Sequence, residues 1–189
     1  YLNMVWDHRP DRTFFGGITL QEYSSAARRL VGSRKFIFDG SRCGCTEGPH
    51  LYRFDDYFYL MTAEGGTGYE HVVTMARSKK IGGPYELDPA GPIVTSRHAP
   101  DHPLQRAGHG DLVDSPDGRH YLVHLCSRPL PGTRRSPMGR ETAIQEVERT
   151  DEGWFRLVQG GQLPALEVVM PVRECGREPG MPGGEVTDG

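Results

Sequence analysis

The chain has 189 residues, 25 of them glycine and 15 proline, and a formal net charge of −3. That length supports one domain with a real core, and the glycine and proline content favours many turns while staying below the level of a disordered chain. The small net charge leaves no electrostatic footprint for nucleic acid or an anionic membrane surface, and no apolar run approaches the ~20 residues of a membrane helix.

The chain opens without an initiator methionine, and residues 1–6 already read as the middle of a strand, which is the pattern of a fragment. Residues 7–12 form a polar turn. Residues 16–23 alternate and predict a strand; residues 24–29 read as a loop, and residues 34–38 as a further short strand. Next comes Thr46-Glu47-Gly48-Pro49-His50-Leu51-Tyr52, a hairpin turning at Asp55-Asp56, and a return strand over residues 57–63. Gly48 and Pro49 bar a helix there. A carboxyl group at the mouth of a buried strand is placed for chemistry. Partial burial disfavours the charged form of such a group, and a carboxylic acid kept protonated near neutrality can act as a general acid.

Residues 62–68 read as a glycine-rich loop, residues 69–78 as a strand, residues 82–85 as a turn and residues 92–95 as a short edge strand. Residues 96–108 read as a polar loop before a strand at 108–113. Asp117-Gly118 makes a hairpin turn and residues 121–125 return. A loop rich in proline and arginine covers residues 128–138, and residues 141–147 with 154–158 complete another hairpin. Extended helical periodicity is absent, so the fold class is all-β.

Four cysteines (Cys43, Cys45, Cys126 and Cys175) and eight histidines are present. Neither the Cys43-Gly44-Cys45 spacing nor any His-Glu-x-x-His pattern supports a zinc site. The reading is reduced structural thiols in a cytosolic protein, with no metal ligand set.

A repeat emerges when the strands are overlaid. Tyr1-Leu2, Tyr59-Leu60 and Tyr121-Leu122 recur, and Asp55-Asp56 lies over Asp117-Gly118. Repeating units of about four short strands suggest propeller blades. The overlay sets Glu47 on His109, so both are expected at the inner rim of successive blades, converging on the central axis.

Thr46-Glu47-Gly48-Pro49-His50-Leu51-Tyr52, Gly65-Gly66-Thr67-Gly68-Tyr69-Glu70-His71, Gly108-His109-Gly110-Asp111-Leu112 and Gly139-Arg140-Glu141-Thr142-Ala143-Ile144-Gln145 together resemble glycoside hydrolase family 43, in its β-xylosidase and α-L-arabinofuranosidase branch. The resemblance runs from Tyr1 to about Pro171. It implies a five-bladed β-propeller, present here as a partial propeller lacking the first blade and part of the second, over residues 1–171, with 172–189 a linker or disordered tail. It implies inverting hydrolysis that releases xylose or arabinofuranose from xylo-oligosaccharides or arabinose-substituted oligosaccharides. By the same resemblance Glu47 is the general acid, Arg140 reaches the glycone sugar, His109 lies at the floor of the site, and Trp6 lines the leaving-group subsite. The acid and the base of an inverting pair stand roughly 6.5–9.5 Å apart to admit the attacking water.

The family's base aspartate lies in the absent first blade, and its pKa-tuning aspartate about 11 residues before Tyr1. Tyr1-Leu2-Asn3-Met4 is also one residue shorter than the family's usual run. The chain alone is therefore expected to be an inactive fragment. No cofactor is required on this reading, and a structural calcium at the propeller axis is compatible with it. The location is cytoplasmic, with no nucleic-acid or membrane partner. The alternative is a non-catalytic carbohydrate-binding propeller. Trp6-Asp7 occurs once only, which argues against a scaffold propeller built on recurrent Trp-Asp pairs.

Overall fold

The computed structural model describes residues 1–6, 8, 10 and 15–169. Of the expected turn at 7–12 only His8 and Pro10 fall inside this set. Cys175 and the expected tail at 172–189 lie outside it.

The described residues form twelve strands in three antiparallel sheets. The first sheet is β1 (Leu2–Trp6), β2 (Phe15–Ser24) and β3 (Arg29–Phe38), in that order. The second is β4 (Glu47–Phe54), β5 (Tyr57–Glu64), β6 (Val72–Ser78) and β7 (Glu86–Leu87), with β8 (Val94–Thr95) also paired to β6. The third is β9 (Gln105–Asp114), β10 (His120–Ser127), β11 (Glu141–Arg149) and β12 (Phe155–Leu157). Within each sheet consecutive strands pair, as short hairpin connections dictate, except that β8 pairs with β6 rather than with β7.

The predicted elements shift at several boundaries: the strand expected at 69–78 starts only at Val72, and the one expected at 92–95 is confined to Val94–Thr95. Residues 25–28 form a tight turn, with the Ala27 amide donating to Ser24 Oγ at 3.1 Å, so β2 and β3 make one long hairpin and β3 starts five residues before the expected Arg34. The expected loop at 62–68 begins later, because β5 continues through Glu64, paired to Val72. The expected loop at 96–108 ends earlier, because β9 begins at Gln105, paired to Ser127.

The second sheet is buried on both faces. Side chains alternate across a strand. On β5 and β6, Tyr59, Met61, Val73 and Met75 point one way, into a core shared with Leu122, Val147, Phe155 and Leu157 of the third sheet. Leu60 and Ala76 point the other way, onto Ile18, Ile37 and Phe38 of the first. The three sheets therefore stack face to face in chain order.

Polar ties reinforce the outer end of the second and third sheets. Arg77 of β6 lies over the rings of Trp154 at 4.1 Å and Tyr57 at 4.7 Å. Arg156 of β12 grips the carboxylate of Asp88, just past β7, through both terminal nitrogens, one at 2.8 Å. Asp88 is only 5% exposed. Removing one partner of a buried pair leaves the other charge uncompensated. Arg156→Leu should therefore cost about 3 kcal/mol of stability in urea unfolding. An unchanged midpoint would show that the pair does not hold these sheets together.

Candidate functional site

The site forms along the seam between β4 and β9, the edge strands of the second and third sheets. These strands meet through side chains. Tyr52 donates to Asp111 Oδ1 at 2.5 Å and accepts from the Leu112 amide at 3.0 Å. His50 Nδ1 lies 3.3 Å from the same Asp111 oxygen. Burial first, and then the bond to Asp111, hold the Tyr52 phenol protonated far above its usual range.

Both strands carry a bulge at this level. In β4 the register shifts between Glu47, paired with Ala63, and His50, paired with Met61. In β9 it shifts between Gly108, paired with Leu125, and Gly110, paired with His124, which leaves His109 as the extra residue. Gly48 and His109 both adopt left-handed backbone, at φ 53° and 51°. A Cβ on Gly48 would come within 2.6 Å of His109 Nε2, so the imidazole sits directly on the glycine.

This geometry corrects the overlay. Ala63 corresponds to Leu125 at the 62-residue offset, yet its partner is Glu47 while that of Leu125 is Gly108. In the ladder Glu47 therefore matches Gly108, and His109 matches the bulged Gly48. The two bulges match, and the one-residue slip arises in the hairpin turn: two residues separate Phe54 from its partner Tyr57, but three separate Ser115 from Arg119, so His109 lies within its strand rather than opening it.

Glu47 and Arg140 nevertheless converge on His109. Glu47 is half-buried at the start of β4, and its charge acts on His109. Arg140 stands exposed just before β11, and its charge reaches both His109 and His71. Among the described residues neither the Glu47 carboxylate nor the Arg140 guanidinium makes a hydrogen bond or ion pair, so both are open to a ligand. His109 titrates below its ordinary value, first because burial disfavours its charged form; Glu47 opposes this, while His50 and Arg140 add to it. Trp6 lies at the end of β1, on the first sheet. Its ring is tilted against Phe15 at 5.6 Å and His8 at 6.0 Å, and it is 49% exposed.

Other residues around the site carry roles that the sequence reading left unassigned. His71 is fully buried behind His109, with Nδ1 3.2 Å from the Arg106 carbonyl, and its ring would clash at 2.4 Å with any Cβ on Gly108. His124 is equally buried, with Nδ1 3.0 Å from the Leu125 carbonyl. Glu141 pairs with Arg128. Glu64, which had read as a loop residue, is a fully buried carboxylate. The Gly65-Gly66 signal that marks the loop lies immediately after it and masks the strand end. Cys43, Cys45 and Cys126 are free thiols. No group of three or more metal-ligating side chains gathers among the described residues.

The sequence profile of glycosyl hydrolases family 43 matches residues 1–155, and the chain belongs to that family. It is 54% identical over 171 residues to xylosidase/arabinosidase 43B of Humicola insolens, covering 90% of this chain and 32% of that protein. It is 49% identical over 178 residues to a beta-xylosidase of Bacillus subtilis (strain 168), covering 90% of this chain and 33% of that protein. The crystal structure of xylan beta-1,4-xylosidase from Bacillus halodurans C-125 superposes with a TM-score of 0.87 at 51% identity, covering 94% of this chain and 34% of that one. The chain thus spans about a third of the length of these relatives.

The buried histidines set a pH dependence. Burial lowers the His71 pKa to about 4 from 6.5, against the pull of the Arg106 carbonyl. A depressed histidine binds its proton more weakly folded than unfolded. Its contribution is fully present above pH 6.5 and is lost as pH falls toward 4. The loss from His71 approaches about 3 kcal/mol, and His124 shifts in the same direction. Urea titrations between pH 7 and pH 4 should show falling stability, with a shallower slope in His71→Asn. An identical slope would show that His71 is not the titrating group.

Proposed function

We propose that this chain is part of a glycosidase that releases xylose or arabinofuranose units from xylo-oligosaccharides or arabinose-substituted oligosaccharides, with Glu47 as the general acid of an inverting hydrolysis. The observation that supports it most directly is that the Glu47 carboxylate and the Arg140 guanidinium, neither with a hydrogen-bond or ion-pair partner among the described residues, both act on His109. An acid must hold its proton toward a glycosidic oxygen, and a carboxyl group with neither oxygen engaged by protein donors is free to turn one there.

In this reading Arg140 hydrogen-bonds the sugar hydroxyls and brings positive charge to the glycone. His109 forms the floor. Its lowered pKa keeps it neutral near pH 7, so it does not compete with Arg140 as a second cation. Trp6, half-exposed at the end of β1, offers an apolar ring face to the leaving group. The base and pKa-tuning aspartates have no counterpart among these residues by the family resemblance. Hydrolysis on this reading requires no cofactor, and a structural calcium on the axis stays compatible with it. The proposal extends to a cytoplasmic setting.

The fold belongs to the same proposal. Three face-to-face antiparallel sheets, stacked in chain order, fit consecutive blades of a five-bladed β-propeller that lacks its first blade and part of its second. Residues 1–171 would then be a partial catalytic domain and 172–189 a linker.

Two assays test the reading. In the whole protein in which these residues occur, Glu47→Gln should lower kcat on xylobiose by roughly 10²–10⁴-fold. Residues 1–189 alone should release no nitrophenol from an aryl β-xyloside above a Glu47→Gln control. Wild-type turnover of xylobiose by the Glu47→Gln whole protein would overturn the assignment. Saturable xylose binding by a whole protein that hydrolyses nothing would favour the non-catalytic sugar-binding propeller.

A further inference from the structure

We infer that Glu64 is a positioning residue for the general acid, holding in place the loop that delivers Glu47. The inference rests on the reading of Glu47 as the acid.

Glu47 is weakly held by its own strand. It is the first residue of β4 and pairs with Ala63, but the register shifts before the next pair at His50. Gly48 takes a left-handed conformation, and Pro49 has no amide to give. One pair before a break does not fix a strand end against fraying. The preceding loop, residues 39–46, must supply the rest.

That loop is tied to Glu64. The Ser41 amide lies 3.1 Å from both Glu64 carboxylate oxygens, and Ser41 Oγ donates to Oε2. From the opposite side Thr62 and Thr74 hydroxyls donate to Oε1 at 3.2 and 3.1 Å, and stand 2.7 Å from each other. Ser41 Oγ in turn accepts from the Cys43 amide at 3.1 Å, and the Gly65 amide donates to the Gly44 carbonyl at 2.8 Å. Gly40 lies so close to Thr46 that a Cβ there would stand 1.8 Å from Thr46 Oγ1. Thr46 is buried and adjoins Glu47. An unbroken set of contacts thus runs from Glu64 through Ser41 and the loop to the acid.

Glu64 is a costly way to fill space. It is fully buried and has no cation partner among the described residues. Desolvating an ionised carboxylate is unfavourable unless hydrogen bonds compensate. An apolar side chain would fill the same space without that cost, but it could not fix the direction of a loop amide and a hydroxyl. The arrangement is one of orientation, and what lies downstream of it is Glu47.

Leaving-group dependence separates positioning from general damage. Protonation by the acid matters most for a basic leaving group and little for an already acidic one. In the whole protein, Glu64→Gln should lower kcat on xylobiose or an alkyl xyloside by roughly tenfold or more, and on a dinitrophenyl xyloside by less than about threefold. Glu47→Gln should show the same pattern more strongly, and the double variant should add little to it. A Glu64→Gln loss equal on all substrates, or no loss, overturns the inference. A Glu47→Gln variant without leaving-group dependence overturns the acid assignment instead.

A second readout needs no activity. Cys43 and Cys45 lie on the tethered loop and Cys126 in the core. Glu64→Gln should speed labelling of the two loop thiols roughly tenfold, leaving Cys126 at the wild-type rate. If Glu64→Gln does not fold, Ser41→Ala removes one donor and should shift both readouts in the same direction. Unchanged loop labelling in the folded variant counts against the inference.

Discussion

The structure depends on the burial of one sheet on both faces. Because β5 and β6 alternate strictly, Tyr59 and Met61 serve the third sheet while Leu60 serves the first. Each apolar side chain of this size stabilises by about 1.5–3 kcal/mol when removed from water, and the interleaving gives both neighbours a surface to pack on. The seam of β4 and β9 follows from it. Once the second and third sheets are pressed together, their edge strands are brought side by side with no ladder between them. Tyr52, Asp111, His50 and His109 fill that space.

The seam explains why polar and titratable groups gather there. Edge strands carry bulges more readily than central ones, and here the bulges fall at Gly48 and His109. One lets a backbone pass close beneath a ring, and the other turns that ring toward it. Glu47 precedes the first bulge, and Arg140 arrives from the loop before β11. The buried histidines behind them stay neutral at ordinary pH because burial opposes their charge. Glu47 and Arg140 are left as charges of opposite sign that act on His109.

Much of this was legible in the sequence. Glycine, proline and Asp-Gly turns punctuate the hairpins, and the recurring Tyr-Leu pairs mark the second strand of two sheets and the first described strand of the other. Glu47 stood out because Gly48 and Pro49 restrict the backbone beside it. Arg140 and His109 were named through family motifs, and the charges of Glu47 and Arg140 both act on His109. The errors have physical causes. The turn between Ser115 and Arg119 is one residue longer than the Asp55-Asp56 turn, and an overlay that set the two turns on each other misplaced His109 by one. Glu64 sits where a strand runs into two glycines, and a charge at a strand end reads as solvent-exposed. Only tertiary structure reveals the hydroxyls of Ser41, Thr62 and Thr74 around it. The Trp6 assignment rests on the resemblance: the ring is exposed as a sugar platform must be, but it sits on a different sheet from the convergent group.

The close approach at Gly48 has a consequence for how this seam can diversify. A single imidazole thickness sets the spacing between two sheets, with no methyl-sized slack. The spacer is itself a polar, titratable ring. Any change that enlarges residue 48 must also re-aim His109, so the spacing of the seam and its polarity can only be altered together.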